Sequence, residues 1–74
     1  MMEELRISYD RVADALYIRL KEGKVSNSIE VNEGIIVDLN EKGEIMGLEI
    51  LNFSKSGVDL DRIIREGVES VARI

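Results

Sequence analysis

The sequence contains no cysteine, histidine, proline or tryptophan in its 74 residues. Without cysteine the chain forms no disulfide and offers no thiol nucleophile, and without histidine it lacks the commonest general base and metal ligand. A bound metal would have to be a hard cation held by oxygen atoms. The serines have no histidine to activate them, and no glycine-rich phosphate loop is present. We therefore expect no cofactor and no enzymatic activity.

Positive charge and long apolar runs are also scarce. Basic residues number 10 against 15 acidic ones, a net charge of −5, and they are scattered singly along the chain. Nucleic-acid binding needs clustered lysine and arginine, so it is not expected here. No apolar run approaches the roughly 20 residues of a membrane span, and the first residues lack a signal-peptide pattern. We expect a cytoplasmic protein with no membrane contact.

The short length leaves room for a single domain over residues 1–74. A chain of this size buries only about 60% of the surface that its unfolded form exposes, so its core is marginal. Small domains usually gain stability from disulfides, a metal or another chain. Since cysteine and histidine are missing, association is the remaining route. We expect a homodimer or a complex with a small cognate protein.

Alternating apolar and polar side chains run from residue 5 to residue 51. Alternation is the period of a β-strand, whose successive side chains point to opposite faces. The clearest segments are residues 15–21, 35–39 and 45–51. Turns that contain glycine separate the segments, as expected for hairpins. The pattern predicts four to five antiparallel strands within 5–51.

After residue 57 the period becomes helical, with apolar side chains at Leu60, Ile64, Val68 and Val71. This spacing predicts one amphipathic helix over about 59–73, with Asp59 as its N-cap and Gly67 inside it. A helix of this length is not stable alone, so we expect it to dock on the sheet face that carries Leu16 and Ile18. The expected fold class is α+β: an antiparallel β-meander of four to five strands packed by one C-terminal amphipathic helix.

The other face of the predicted sheet is mixed rather than cleanly polar. Its apolar members are Tyr17, Ile36, Ile45 and Leu51, and its charged members are Arg19, Asp38 and Glu49. A solvent-facing side of an antiparallel sheet is usually polar, and an apolar patch among charges indicates a contact surface. Scattered surface apolar residues without a partner are the alternative interpretation. We predict an interaction surface formed by Tyr17, Ile36, Arg19 and Glu49.

Acidic residues supply a second candidate site. Asp10 and Asp14 flank the first predicted turn, while Asp38 and Glu49 fall on neighbouring predicted strands. Paired carboxylates can act as acid and base or hold a metal. The alternative function is therefore a small metal-dependent or carboxylate-based hydrolase. The ordinary roles of such residues are turn hydrogen bonds and cross-strand pairing, which we favour.

Two further patterns are weaker. The stretch 38–49 partly matches the spacing of a Ca²⁺-binding loop, but Lys42 stands at a ligand position and the strand-like flanks favour a hairpin turn. A DNA-binding regulator that acts through the last helix is a third alternative. Its basic residues, Arg62, Arg65 and Arg73, are interleaved with acidic ones, which argues against a stripe that faces phosphates.

The segments RISYDRVADALYIRL and NEGIIVDLNEKGEIMGLEILNFS resemble the YuzE-like domain-of-unknown-function family of small prokaryotic proteins. The resemblance extends from Arg6 to about Ser54. It is carried by Tyr9-Asp10, Ala13 to Ile18, Gly34 to Asp38, Gly43, and Gly47 to Leu51. Family members often have proline after the Tyr-Asp pair, where this chain has Arg11, a change that affects turn rigidity. The resemblance implies a β-rich fold with a helix, no established activity, and an antitoxin-like or partner-binding role.

We therefore expect a non-enzymatic protein-interaction module, with Asp10, Asp14 and Asp38 as the polar residues to examine beside the interaction surface.

Overall fold

The structure, a computed structural model, describes residues 5–67. Five strands and two short helices follow one another along this part of the chain. They are β1 (Arg6–Asp10), β2 (Ala15–Arg19), β3 (Asn27–Asn32), β4 (Ile35–Leu39), β5 (Ile45–Ile50), α1 (Phe53–Ser56) and α2 (Leu60–Glu66). The alternating segments predicted between residues 5 and 51 are thus confirmed as strands, and the α+β class is confirmed.

All neighbouring strands are antiparallel and form one sheet in the order β1-β2-β5-β4-β3. This order departs from a continuous meander, because β5 returns to lie between β2 and β4. The burial of the strands explains the arrangement. A central strand is shielded on both sides, and β5 is the most buried of the five, while the edge strands β1 and β3 have no fully buried residue.

One face of the sheet carries the hydrophobic core. Its buried members within the sheet are Leu16, Ile18, Ile35, Val37, Leu48 and Ile50. Ile63 of α2 joins this cluster, and Phe53 of α1 packs against it. The prediction that the last helix docks on the face of Leu16 and Ile18 is therefore confirmed.

The helix itself differs from its prediction. It begins after Asp59, whose carboxylate accepts a hydrogen bond from the Arg62 backbone N–H (3.3 Å), as expected for an N-cap. It ends at Glu66, because Gly67 leaves the helical conformation with a φ of 90°. The prediction placed Gly67 inside a helix over 59–73, which is wrong at this residue, and residues 68–73 of that prediction lie outside the described part.

The buried side of α2 also differs from the predicted stripe. Ile63 is 2% exposed, whereas Ile64, which the periodicity assigned to the core, is 53% exposed. Leu60, the first residue of the predicted stripe, does pack against the core cluster, so the prediction is right at Leu60 and wrong at Ile64. Between β5 and α2 the chain forms the single turn of α1, which the sequence pattern did not predict. Neither helix within residues 5–67 has the length and apolar character needed to cross a membrane.

A bulge in β5 changes the direction of one predicted surface residue. Asp38 pairs with Gly47, but the next residue, Leu39, pairs with Ile45, so Met46 is an extra residue on β5. Such an insertion shifts the alternation of the strand. Ile45 consequently packs against the core cluster and not on the opposite face, where the simple alternation had placed it.

Candidate functional site

The face of the sheet opposite α2 consists of two cross-strand rows. In order from β1 to β3, one row is Ser8, Tyr17, Glu49, Ile36 and Glu30. The second row is Arg6, Arg19, Gly47, Asp38 and Ser28. We call these two rows the open face. Within residues 5–67 neither helix covers it, because both helices pack on the core side.

A hydrogen-bonded cluster spans the middle of the open face. The Tyr17 hydroxyl donates to Asp38 Oδ2 at 3.0 Å, and the Ser28 hydroxyl donates to Asp38 Oδ1 at 2.7 Å. Three strands thus meet at one carboxylate: β2, β3 and β4. To reach Asp38, the Tyr17 side chain has to pass over β5, which lies between β2 and β4.

Gly47 makes this crossing possible. A Cβ atom built on Gly47 would stand 2.5 Å from the Tyr17 hydroxyl oxygen and 3.2 Å from the Ile18 carbonyl oxygen. No side chain larger than hydrogen fits there unless Tyr17 moves. Glycine weakens a strand interior, and its presence in one indicates close approach by another group. Here the approaching group is the Tyr17 ring.

The electrostatics of the cluster follow from this packing. Burial, and then the hydrogen bond to the negative Asp38 carboxylate, raise the pKa of the Tyr17 hydroxyl. The positive charge of Arg19 acts in the opposite direction. Tyr17 is therefore a neutral hydrogen-bond donor at physiological pH, and Asp38 is an acceptor whose two oxygens are both used.

Arg19 lies in the second row of the open face, opposite Gly47. Its Nη2 donates to the Gly23 carbonyl oxygen at 2.8 Å, while its Nε is buried without a hydrogen-bond partner. The nearest acid, Glu22, has Oε2 at 3.7 Å from that Nε, beyond hydrogen-bonding distance. The side chain is 29% exposed. Among the described residues, the charge of Arg19 is therefore balanced by one acid, Glu22, at ion-pair distance.

The four predicted interaction residues come together on the open face. Tyr17, Glu49 and Ile36 are successive members of one row, and Arg19 is two residues from Tyr17 on the same side of β2. Leu51, which the sequence assigned to this side, lies beyond the end of β5, and its N–H donates to the Gly34 carbonyl. The interaction surface itself stays a prediction.

Asp10 and Asp14 lie at the end of the β1–β2 hairpin that is remote from Arg19, and they stabilise local structure. Asp10 Oδ1 accepts from the backbone N–H groups of Val12 and Ala13, at 3.0 and 3.2 Å, in the turn between β1 and β2. Asp14 has a φ of 54°, a left-handed conformation that Asp and Asn tolerate better than most residues. Asp10 thus has a turn role through its carboxylate and Asp14 through its backbone, as the ordinary interpretation proposed.

Asp14 also connects the first hairpin to α1. Its carboxylate accepts from the Tyr9 hydroxyl at 2.5 Å and from the Ser54 hydroxyl at 2.7 Å. The Phe53 N–H donates to the Asp14 carbonyl at 2.9 Å, and the Tyr9 and Phe53 rings meet edge to face. The hydrogen bond from Tyr9, followed by that from Ser54, lowers the pKa of the Asp14 carboxyl. The same bond raises the pKa of the Tyr9 hydroxyl.

The predicted acidic residues therefore do not form one site. Asp10 pairs with Ala15 at one end of the β1–β2 ladder, whereas Asp38 pairs with Gly47 towards the other end of β5. In the described part of the chain, no three acidic side chains are grouped so that they could hold a metal ion. The structure thus gives the hydrolase alternative no shared carboxylate centre.

The remaining sequence patterns resolve into ordinary structure. Residues 40–44 form the β4–β5 turn, in which Asn40 Oδ1 accepts from the Lys42 and Glu44 N–H groups, so the stretch 38–49 is a hairpin as predicted. On α2, the basic side chains pair with acids one turn away, Arg62 with Glu66 and Arg65 with Asp61. Arg73 lies outside the described residues.

The fold and the open face define a small α+β domain with one sheet. Helices pack on one side of the sheet, and the other side is a mixed polar and apolar face with the hydrogen-bonded pair of Tyr17 and Asp38 near its centre. The chain belongs to the family described as Protein of unknown function (DUF2283), whose model matches residues 6–54. The match confirms the family resemblance and includes all five strands. Comparisons with curated proteins and with solved structures gave no match. Function therefore has to be inferred from the open face itself.

Proposed function

We propose that this protein is a non-enzymatic interaction module that binds another protein chain through the open face. The observation that carries the proposal is the row of Tyr17, Glu49 and Ile36 on the three central strands, where no helix of residues 5–67 covers them. Aromatic and apolar side chains are enriched at the centre of protein interfaces, and here Tyr17 and Ile36 stand on either side of Glu49. A second copy or a small cognate protein is the expected partner.

The chemistry of the face supports binding more than catalysis. Each oxygen of the Asp38 carboxylate accepts one hydrogen bond, from Tyr17 and from Ser28, and these bonds fix the Tyr17 ring across the sheet. A fixed aromatic ring loses little conformational entropy on binding, which favours its use as an anchor. An antitoxin-like role, which the family resemblance implied, and a cytoplasmic location stay predictions.

The test compares two variants that introduce the same charge at different places. Ile36→Asp puts a carboxylate in the centre of the open face. Val12→Asp is the matched control, because Val12 is 99% exposed in the turn between β1 and β2. Circular dichroism first establishes that both variants fold.

Each full-length variant is then measured by size-exclusion chromatography with light scattering and used as bait in extracts of the native source. We expect wild type and Val12→Asp to retain the same partner, or the same self-associated mass, and folded Ile36→Asp to lose it. If all three behave alike, the open face is not the binding surface.

A further inference from the structure

The charges on the open face are divided between its two halves. On the β1–β2 half, Arg6 and Arg19 share the acid Glu22, at 3.5 and 3.7 Å, which leaves the second row net positive there. Asp10 lies on the same side of β1, beyond the two rows. On the β4–β3 half, Asp38 and Glu30 are both acidic and are not paired with a cation in the described chain. The central strand β5 separates the halves. The face is therefore complementary to itself.

We infer that the partner of the open face is a second copy of this chain, docked face to face about a two-fold axis that runs along β5. The inference rests on the proposed function and specifies its partner. Most soluble oligomers are symmetric pairs in which the same patch is used twice. A turn of 180° about β5 brings the β1–β2 half of one copy over the β4–β3 half of the other.

This axis matches the rows and sets the arginines of one half over the acids of the other, while it brings the two Glu49 carboxylates together on the axis. Because the turn keeps each row at the same height along the strands, Tyr17 of one copy lies over Ile36 of the other. In the second row, Arg19 lies over Asp38. The alternative axis, across the strands, sets each half against itself and reverses the order of the rows, so that Arg6 and Arg19 no longer face the half that carries Asp38 and Glu30. That arrangement therefore lacks the pairing of opposite charges that the axis along β5 provides.

The area of the open face limits the affinity expected between the two copies. Five strands spaced by about 4.8 Å, with five or six residues of about 3.3 Å each, give a flat area of roughly 400 Å². Two copies would then bury less than about 1,200 Å² in total, the lower range of specific interfaces. The pair is therefore expected to exchange with monomer and to depend on concentration.

The absence of cysteine makes the axis directly testable. Stacked sheets are about 10 Å apart, so a thiol-reactive linker of about that span can join residues that face each other. Glu49→Cys lies on β5, on the axis, and is expected to cross-link with itself. Ser8→Cys and Glu30→Cys lie at opposite ends of the same row. Each is expected to stay unlinked alone and to cross-link when the two are mixed.

Val12→Cys is the control for random collision, since its side chain is in a turn outside the face. The expected result is a several-fold higher yield for Glu49→Cys, and for the Ser8→Cys with Glu30→Cys mixture, than for this control. The Ser8 and Glu30 pair keeps the test valid if Glu49→Cys fails to fold. Self-linking of Ser8→Cys in place of the mixture would overturn the axis.

Light scattering on the wild type, together with the binding of Ile36→Asp, tests the second copy as partner separately from the proposed function. A monomer up to about 1 mM, the concentration at which a Kd near 1 mM becomes visible, would overturn the second copy as partner. If Ile36→Asp still abolished retention of a different protein, the proposed function would stand while this inference failed. A monomer whose binding was unaffected by Ile36→Asp would end both.

Discussion

The residues on the two faces of this sheet are held in place by different kinds of interaction. On the core side, Ile18, Val37, Leu48 and Ile50 are completely buried and make no polar contact through their side chains. On the open face, Tyr17 is placed by a hydrogen bond to Asp38 and by the space above Gly47. Apolar burial is strong but non-directional, whereas these contacts depend on position. The core side therefore supplies stability, and the open face supplies a defined surface.

The largest effect is expected from breaking the core side at Ile63. Ile63→Ala removes the buried side chain by which α2 joins the core cluster, and such a truncation destabilises by about 2–4 kcal/mol. That is a large share of the stability of a chain this small. Chemical denaturation measures the loss. Ile64→Ala is the matched control and should change the free energy of unfolding by less than about 1 kcal/mol, so equal losses would contradict the assignment of Ile63 to the core.

A smaller effect is expected at the tightest contact of the open face. Gly47→Ala forces the Tyr17 ring away from β5 and should destabilise the fold by about 1–3 kcal/mol. In a double-mutant cycle, Tyr17→Leu is expected to relieve most of this loss, because the crowded ring is then absent. Additive losses in the cycle would mean that the substitution acts through the strand backbone and not through Tyr17.

The connection between the first hairpin and α1 predicts a pH dependence. The Asp14 carboxyl has a lowered pKa in the folded state, so its contribution to stability is present above its unfolded pKa, about 3.9, and is lost as the pH falls through the folded pKa. Asp14→Asn keeps the tolerance for a positive φ but removes the charge. The variant should be less stable than wild type at pH 7, and the difference should shrink towards pH 2 in urea titrations.

Asp10→Asn is the control for that measurement. Asn supports the same turn hydrogen bonds as Asp, so its stability difference from wild type should be small. Tyr9 adds a second check, because its pKa is raised by the same bond. That part of the stability is present below pH 10 and should be lost as the pH rises through the folded pKa of Tyr9. A difference for Asp14→Asn that persisted unchanged into acid would contradict the charge-assisted bond.

The smallest effect is expected on the dimer Kd, from removing the charge of Glu49 on the central strand of the open face. Two copies of Glu49 meet near the inferred axis, and like charges at such a position oppose pairing. Glu49→Gln should therefore lower the dimer Kd, by at most about fivefold, in sedimentation measurements. Glu41→Gln removes the same charge from the exposed β4–β5 turn. Tighter pairing in both variants alike would indicate a net-charge effect and not an axis at β5.

Much of the fold could be predicted because each strand carries its own alternating pattern. Residues 35–39 were predicted with the bounds that β4 has, and the docking of the last helix on the face of Leu16 and Ile18 was predicted correctly. Strand order could not be predicted in the same way, because alternation fixes a face but names no neighbour. The prediction for Ile45 was wrong for a related reason, because the extra residue Met46 reverses the alternation of β5 on its N-terminal side, where Ile45 lies.

The open face was predicted in its members and not in its contacts. Tyr17, Ile36, Arg19 and Glu49 were placed together because they share the parity of their strands. The bond between Tyr17 and Asp38 requires the order of strands, which the sequence left open. Gly47 was an available signal, because a glycine inside an otherwise regular strand indicates close approach. The helix was misjudged at Ile64 because the spacing was followed past Gly67.

The central position of β5 has a consequence for how the chain reaches this structure. The hairpin of β1 and β2 and the hairpin of β3 and β4 are each closed by a short local turn. They share no ladder with each other, and β5, the last strand within residues 5–67, joins them. Pairing of β2 with β5 closes a long loop, and long-range pairing of this kind slows folding. During synthesis, β2 and β4 therefore keep an unpaired edge until residues 45–50 emerge and pair with both strands.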